Sequence, residues 1–246
     1  MEINTGRDMT KLMQGIAILF MILHHFPVDG LLNHPEPLVT NPFMLAVMAD
    51  MKICVGIFTF FIGFGYGYTK EKTYRTSFYR IWRFLKKWWA LLFLIFLPSA
   101  LIVGIYKFSL PEFIYEMFGM QEELNWYSWY VYVYIFALLL FPLVHPLIDR
   151  KPLLWTLALA FVGLLVEVAV HTIPGWAETP ILHSIFSFFL YWPVLLAGYY
   201  CSSTNFFSKL AKCIKSGPML YTLSGGGYHF VISRPCLLRQ HPRIQP

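Results

Sequence analysis

Residues 7–26 read Arg7-Asp-Met-Thr-Lys-Leu-Met-Gln-Gly-Ile-Ala-Ile-Leu-Phe-Met-Ile-Leu-His24-His25-Phe26. Charge opens the segment, Gln14 interrupts an otherwise apolar run, and two adjacent histidines close it. An apolar run of this kind predicts a membrane-spanning helix, and ionisable groups at membrane depth are costly enough to point to function. Gln14 and His25 are eleven residues apart, which returns them to nearly the same helix face about 16 Å apart. Neighbouring positions diverge by about 100°, so His25 shares that face better than His24. The plain reading of a terminal histidine is an interfacial side chain reaching for water. Two in a row make His25 and His24 candidate catalytic residues beside that plain reading.

The rest of the chain follows the same pattern. Its 246 residues are 57% hydrophobic and 13% charged, about half the charged share of a soluble domain. The expected fold class is an all-α, polytopic transmembrane protein with about six spans. They lie at about 10–28, 49–69, 88–106, 125–148, 153–173 and 181–200. Residues 1–216 form the membrane unit. Residues 217–246 lose the apolar pattern and read as an irregular basic tail, such as a shifted reading frame would also produce.

Charge orders the loops. Residues 69–87 hold seven Lys/Arg against Glu71, Asp149-Arg150-Lys151 separates the fourth and fifth spans, and Lys209, Lys212 and Lys215 follow the sixth. Residues 29–48 have no Lys or Arg, residues 107–124 set Lys107 against four glutamates, and residues 174–180 carry only Glu178. The positive-inside rule then places the N-terminus and the basic loops in the cytoplasm of a multi-pass plasma or inner membrane protein. The net charge of +6 is therefore a topological signal and does not indicate a nucleic-acid partner.

Within the basic segment, Arg80, Arg83 and Lys87 fall within about 60° on a helix. Positive-inside anchoring among aromatics explains them plainly, and a cytoplasmic grip on phosphate is the functional alternative. Gly63, Gly65 and Gly67 lack a preceding strand, so they read as close helix packing and not as a nucleotide loop. Trp126 and Tyr127 begin an interfacial aromatic belt. Glu167 lies inside the fifth span and must face protein or water, while His145, His171 and His183 sit at span ends and read as interfacial. The four cysteines show no metal spacing and no disulfide framework. The first span lacks a small-residue cleavage pattern after His25, so it reads as a retained helix.

Several of these stretches resemble membrane acyltransferase family 3, the OafA-type O-acyltransferases. The first span is similar to that family's Arg-x10-His helix, with His25 in place and Gln14 where the arginine would stand. Ile57 to Tyr66 looks like its Phe-rich second span, with Ile62 replacing a serine. Arg80-Ile-Trp-Arg83 resembles its Arg-x-x-Arg pair, and Trp126-Tyr127 its fourth-span opening. The resemblance covers about residues 7–200. It implies transfer of an acyl group, commonly acetyl, from cytoplasmic acyl-CoA to a hydroxyl of a cell-surface or exported carbohydrate. His25, with His24 beside it, would supply the base, and Arg80, Arg83 and Lys87 would hold the CoA phosphates. Gln14, Trp126 and Tyr127 would line the site, with no metal and no permanently bound cofactor.

Members of that family usually have more spans, so the resemblance also implies a shortened and potentially inactive copy. A transporter or a sugar or lipid translocation subunit, using the histidines and Glu167 as a polar path, is the alternative from another class.

Overall fold

The computed structural model describes residues 7–28, 41–104, 106–121, 123–125, 128–176 and 178–216, with side chains from 10 to 24 in the first helix and to 213 in the last. Every regular element among these residues is helical. The helices are α1 (Arg7–Val28), α2 (Pro42–Asp50), α3 (Ile53–Gly67), α4 (Tyr74–Leu91), α5 (Leu97–Val103), α6 (Leu110–Met117), α7 (Trp129–Arg150), α8 (Pro152–Val170), α9 (Pro180–Ser203) and α10 (Phe206–Ser216). Five runs are long and apolar enough to cross a membrane: Pro42–Gly67, Tyr74–Val103, Trp129–Arg150, Pro152–Val170 and Pro180–Ser203. The first span drawn from sequence falls on α1, whose described apolar stretch, Thr10–His24, is shorter than those five. The chain is an all-α, multi-pass membrane protein.

Two boundaries differ from the sequence expectation. The second span begins seven residues earlier, at Pro42, where the Asn41 side chain accepts the Phe43 and Met44 N–H groups and caps α2. The third span was drawn from residue 88, but its helix starts at Tyr74, behind a Thr73 side chain that accepts the Thr76 N–H. Nothing between Thr73 and Pro98 breaks a helix, so the basic aromatic segment and the apolar span are one rod. Pro98 has no N–H to donate, and the ladder widens into a π turn over Leu92–Phe96 just before it. Leu97 N–H then reaches back to Leu92 O. Gly104, in the left-handed region at φ 75°, ends the rod.

The centre of the bundle is α3 against α9. A Cβ on Gly63 would run into Leu195 O, one on Gly67 into the Ser202 hydroxyl, and one on Gly198 into Phe60 O. Backbone meets backbone, as the spacing of Gly63 and Gly67 anticipates. Gly63 meets Leu195 while Gly67 meets Ser202, so α3 and α9 run in the same direction. Tyr130 lies beside Phe58 and Phe141 stacks on Tyr66, so α7 shares that direction. The second, fourth and sixth spans are thus parallel, which is the alternation the loop charges require. Phe141, Leu138, Leu195, Leu196 and Tyr199 are fully buried between these helices. By contrast α8 turns Leu153, Leu157, Phe161, Leu164 and Val168 outward, as a lipid-facing helix should.

The contact dictates a sharp asymmetry among the glycines. Gly198→Val should destabilise the purified protein by about 1–3 kcal/mol or more, as overpacking against backbone does. Gly56→Val, where nothing lies within 4 Å of the added Cβ, should leave thermal unfolding in detergent nearly unchanged.

Candidate functional site

The histidine helix comes first. His24 Nδ1 lies 3.0 Å from Met48 O, and because a carbonyl only accepts, Nδ1 carries the proton in that bond. This ties the end of α1 to α2. His25 is in α1, and its side chain lies outside the described residues. Gln14 is exposed on α1. Trp126 and Tyr127 also lie outside the described residues, as does the stretch 217–246.

A partly open slot of about 700 Å³ lies between α3, α9, α10 and the Thr10–Met13 turn of α1. Its α3 wall is one helical stripe: Ile53, Gly56, Ile57, Phe60, Phe61, Phe64 and Tyr68. Met13, Val194, Phe207 and Ala211 complete the apolar lining, and Thr10, Cys201, Asn205 and Ser208 add the polar atoms.

The three cations of the phosphate-grip reading do not converge. Arg80 is half-buried, donates from Nη1 to Thr69 Oγ1 at 2.7 Å, and lies 5.8 Å from the Tyr66 ring centre. Arg83 is exposed over Tyr79, and Lys87 is exposed on the same helix. Arg80 is therefore already oriented by Thr69, while Arg83 and Lys87 remain at the surface.

A second polar group joins three elements at the basic end of the bundle. Lys72 Nζ donates to the Tyr199 hydroxyl at 2.8 Å, and Tyr199 donates to Asp149 Oδ1 at 2.8 Å. Lys72 is also 3.5 Å from Asp149 Oδ2, and His145 Nδ1 is 3.3 Å from the same oxygen. Lys72 is in the loop before α4, His145 and Asp149 share a face of α7 one turn apart, and Tyr199 is buried on α9. Beside them lies a polar cavity of about 500 Å³ lined by Lys72, Asp149, Ser202, Ser203 and Asn205. Tyr68 and Asn205 border both the cavity and the slot. Sequence reasoning noted Asp149 only as part of a charged loop and His145 only as interfacial. The available signal was an acid placed among cations at a span end, without a sequence partner.

At the opposite end, Glu116 is fully buried and its Oε1 accepts the Glu123 and Leu124 N–H groups, at 2.7 and 3.0 Å. Trp88 and Trp89 both donate to Met117 O. These bonds hold the loop leading to Trp126. Burial, followed by the nearby carboxylates of Glu116 and Glu123, pushes the Tyr106 phenol pKa up. Glu167 gains a partner that the sequence reading left open: its Oε1 is 3.7 Å from His171 Nδ1, one turn on. Trp176 lies against both His171 and His183. Among the described residues no group of three His, Cys, Asp or Glu is placed to hold a metal ion.

The Tyr199 hydroxyl is the hub of the basic-end group. Tyr199→Phe removes its bonds to Lys72 and Asp149 together and should cost about 1–3 kcal/mol in reversible unfolding in detergent. Reading that loss in an Asp149→Asn background should show less than additive damage.

The family model described as an acyltransferase domain, that of acyltransferase family 3, matches residues 11–232. No curated protein and no solved structure matches the chain.

Proposed function

The chain belongs to acyltransferase family 3, and from that premise we propose that it is an integral membrane O-acyltransferase. The reading has an acyl group, acetyl in the simplest case, pass from cytoplasmic acyl-CoA to a hydroxyl of a cell-surface or exported carbohydrate in the cell envelope. The observation that carries it is the family match across most of the chain, which includes α1 with its paired histidines.

In this reading His25 takes the proton from the acceptor hydroxyl as its oxygen attacks the thioester carbonyl. The C–S bond then breaks, the new ester forms, and the CoA thiolate takes up a proton. A neutral imidazole suits the task because it exchanges protons near physiological pH. His24, with Nδ1–H committed to Met48 O, acts as the fixed neighbour that sets how far the end of α1 can move. Arg80, oriented by Thr69, supports the donor phosphates from the basic end, with Arg83 and Lys87 contributing at the surface. Gln14, standing where the resembled Arg-x10-His pattern has arginine, offers an uncharged amide that both donates and accepts hydrogen bonds. In this reading Trp126 and Tyr127 line the acceptor side, and the N-terminus, assigned to the cytoplasm from the charge order of the loops, shares that side with the acyl-CoA donor.

Membrane vesicles supplied with radiolabelled acetyl-CoA and a cell-envelope polysaccharide test the reading. His25→Ala should lower acceptor-dependent CoA release by about 10²–10⁴-fold, the usual contribution of a general base. An undiminished rate removes His25 from the chemistry. Arg80→Ala should raise KM for acetyl-CoA with a smaller effect on kcat, because it takes away donor binding and not bond-making.

A further inference from the structure

The slot between α1, α3, α9 and α10 and the polar cavity at its basic end are neighbours that share Tyr68 and Asn205 in their walls, and the proposed reaction does not account for this pairing. From Ile53 to Tyr68 the α3 wall rises over fifteen residue steps, about 22 Å, which is more than half the thickness of a bilayer's hydrocarbon core. Away from Thr10, Tyr68, Cys201, Asn205 and Ser208, its lining side chains offer no hydrogen-bonding group: Met13, Ile53, Ile57, Phe60, Phe61, Phe64 and Val194. An occupant of the deep part must therefore be hydrocarbon. The pantetheine arm of CoA carries two amides, and each would be left without a partner there.

At the other end the slot meets the cavity across Tyr68 and Asn205. That cavity presents one cation and one anion, Lys72 and Asp149, with Ser203 and Asn205 beside them. Lys72 retains a third N–H beyond those directed at Tyr199 and Asp149, and the Asp149 side chain is 41% exposed. A head group carrying both a phosphate and an ammonium matches this pair, with phosphate at Lys72 and ammonium at Asp149.

We propose that the slot holds a fatty chain of a zwitterionic membrane phospholipid whose head group sits at Lys72 and Asp149. Gly56 provides the means to test it. It lies on the slot wall, and a side chain there meets open space and not backbone, so a large residue fills the slot without displacing a helix.

The full chain, placed in nanodiscs of equal phosphatidylethanolamine and phosphatidylglycerol and then released for native mass spectrometry, should retain one phospholipid per chain. That lipid should be enriched in phosphatidylethanolamine. Gly56→Trp should lower retention about tenfold or more, and Gly56→Leu gives a smaller filling residue should the tryptophan prevent folding. Asp149→Asn should keep the lipid but shift the preference toward phosphatidylglycerol, because it removes the partner of the ammonium. Three results overturn the proposal: no retained lipid, retention unchanged in both Gly56 variants, or one-for-one displacement of the lipid by palmitoyl-CoA. Acetyl transfer measured on the same preparation is a separate readout, so either inference can fail without the other.

Discussion

The close approach of α3 and α9 sets the geometry of everything else. In lipid there is no hydrophobic gain from bringing two apolar helices together, so association depends on packing and polar contacts. Gly63 and Gly67 on one helix and Gly198 and Ser202 on the other let the two backbones touch. That contact fixes the rotation of α3. It turns Tyr66 inward against Phe141 and Tyr199, and it turns Phe60, Phe61 and Phe64 toward the slot. The Ser202 hydroxyl, bonded to its own helix at Gly198 O and Tyr199 O, is small enough to sit at the contact. The same few atoms thus determine the buried aromatic stack and the shape of the cavity on the other side.

A second constraint acts where the bundle meets water. Lys72, Asp149, His145 and the Tyr199 hydroxyl come from segments far apart in sequence, and the buried aromatic stack ends at them. A buried tyrosine hydroxyl needs a partner, and here it has a donor on one side and an acceptor on the other. The carboxylate in turn faces two cationic or protonatable groups, so neither charge is left alone. Clasping the α3–α4 loop to α7 and α9 also places Arg80 nearly two turns into the next helix, where Thr69 receives it. The basic end is a preorganised surface and not merely a set of anchors.

What could be read from the residues was what one-dimensional pattern encodes. Apolar runs and loop charge gave the fold class and the alternation of spans, because lipid imposes both on a local stretch of chain. The glycine spacing on α3 announced close packing but not its partner, since Gly198 lies 135 residues away from Gly63 and carries no matching motif visible by itself. The third span was drawn from residue 88, where the apolar run begins, and the basic segment before it was read as a separate helical stretch, whereas one rod capped by Thr73 carries both. Of the candidate site, Arg80, Arg83 and Lys87 were legible as a set on one helix face. Their division between interior and surface depends on where α3 lies, which no spacing reveals. The Lys72–Tyr199–Asp149 group was invisible for the same reason.

The contrast between the two sides of α3 bears on how such a protein could work. On the α9 side the fit is backbone to backbone and leaves no freedom. On the α1 side the described part of the helix fully buries one side chain, Ala17, and borders the slot at Thr10 and Met13. Elements held by few buried contacts are the ones that move at low cost. Among its described side chains α1 is buried less than α9, and the bond from His24 to Met48 O ties its end to α2. Hydrocarbon in the slot would pack against Phe60 and Phe64 and would reach α1 at Thr10 and Met13, in its N-terminal part. The rigid α3–α9 pair is then the reference against which the slot and the start of α1 are placed.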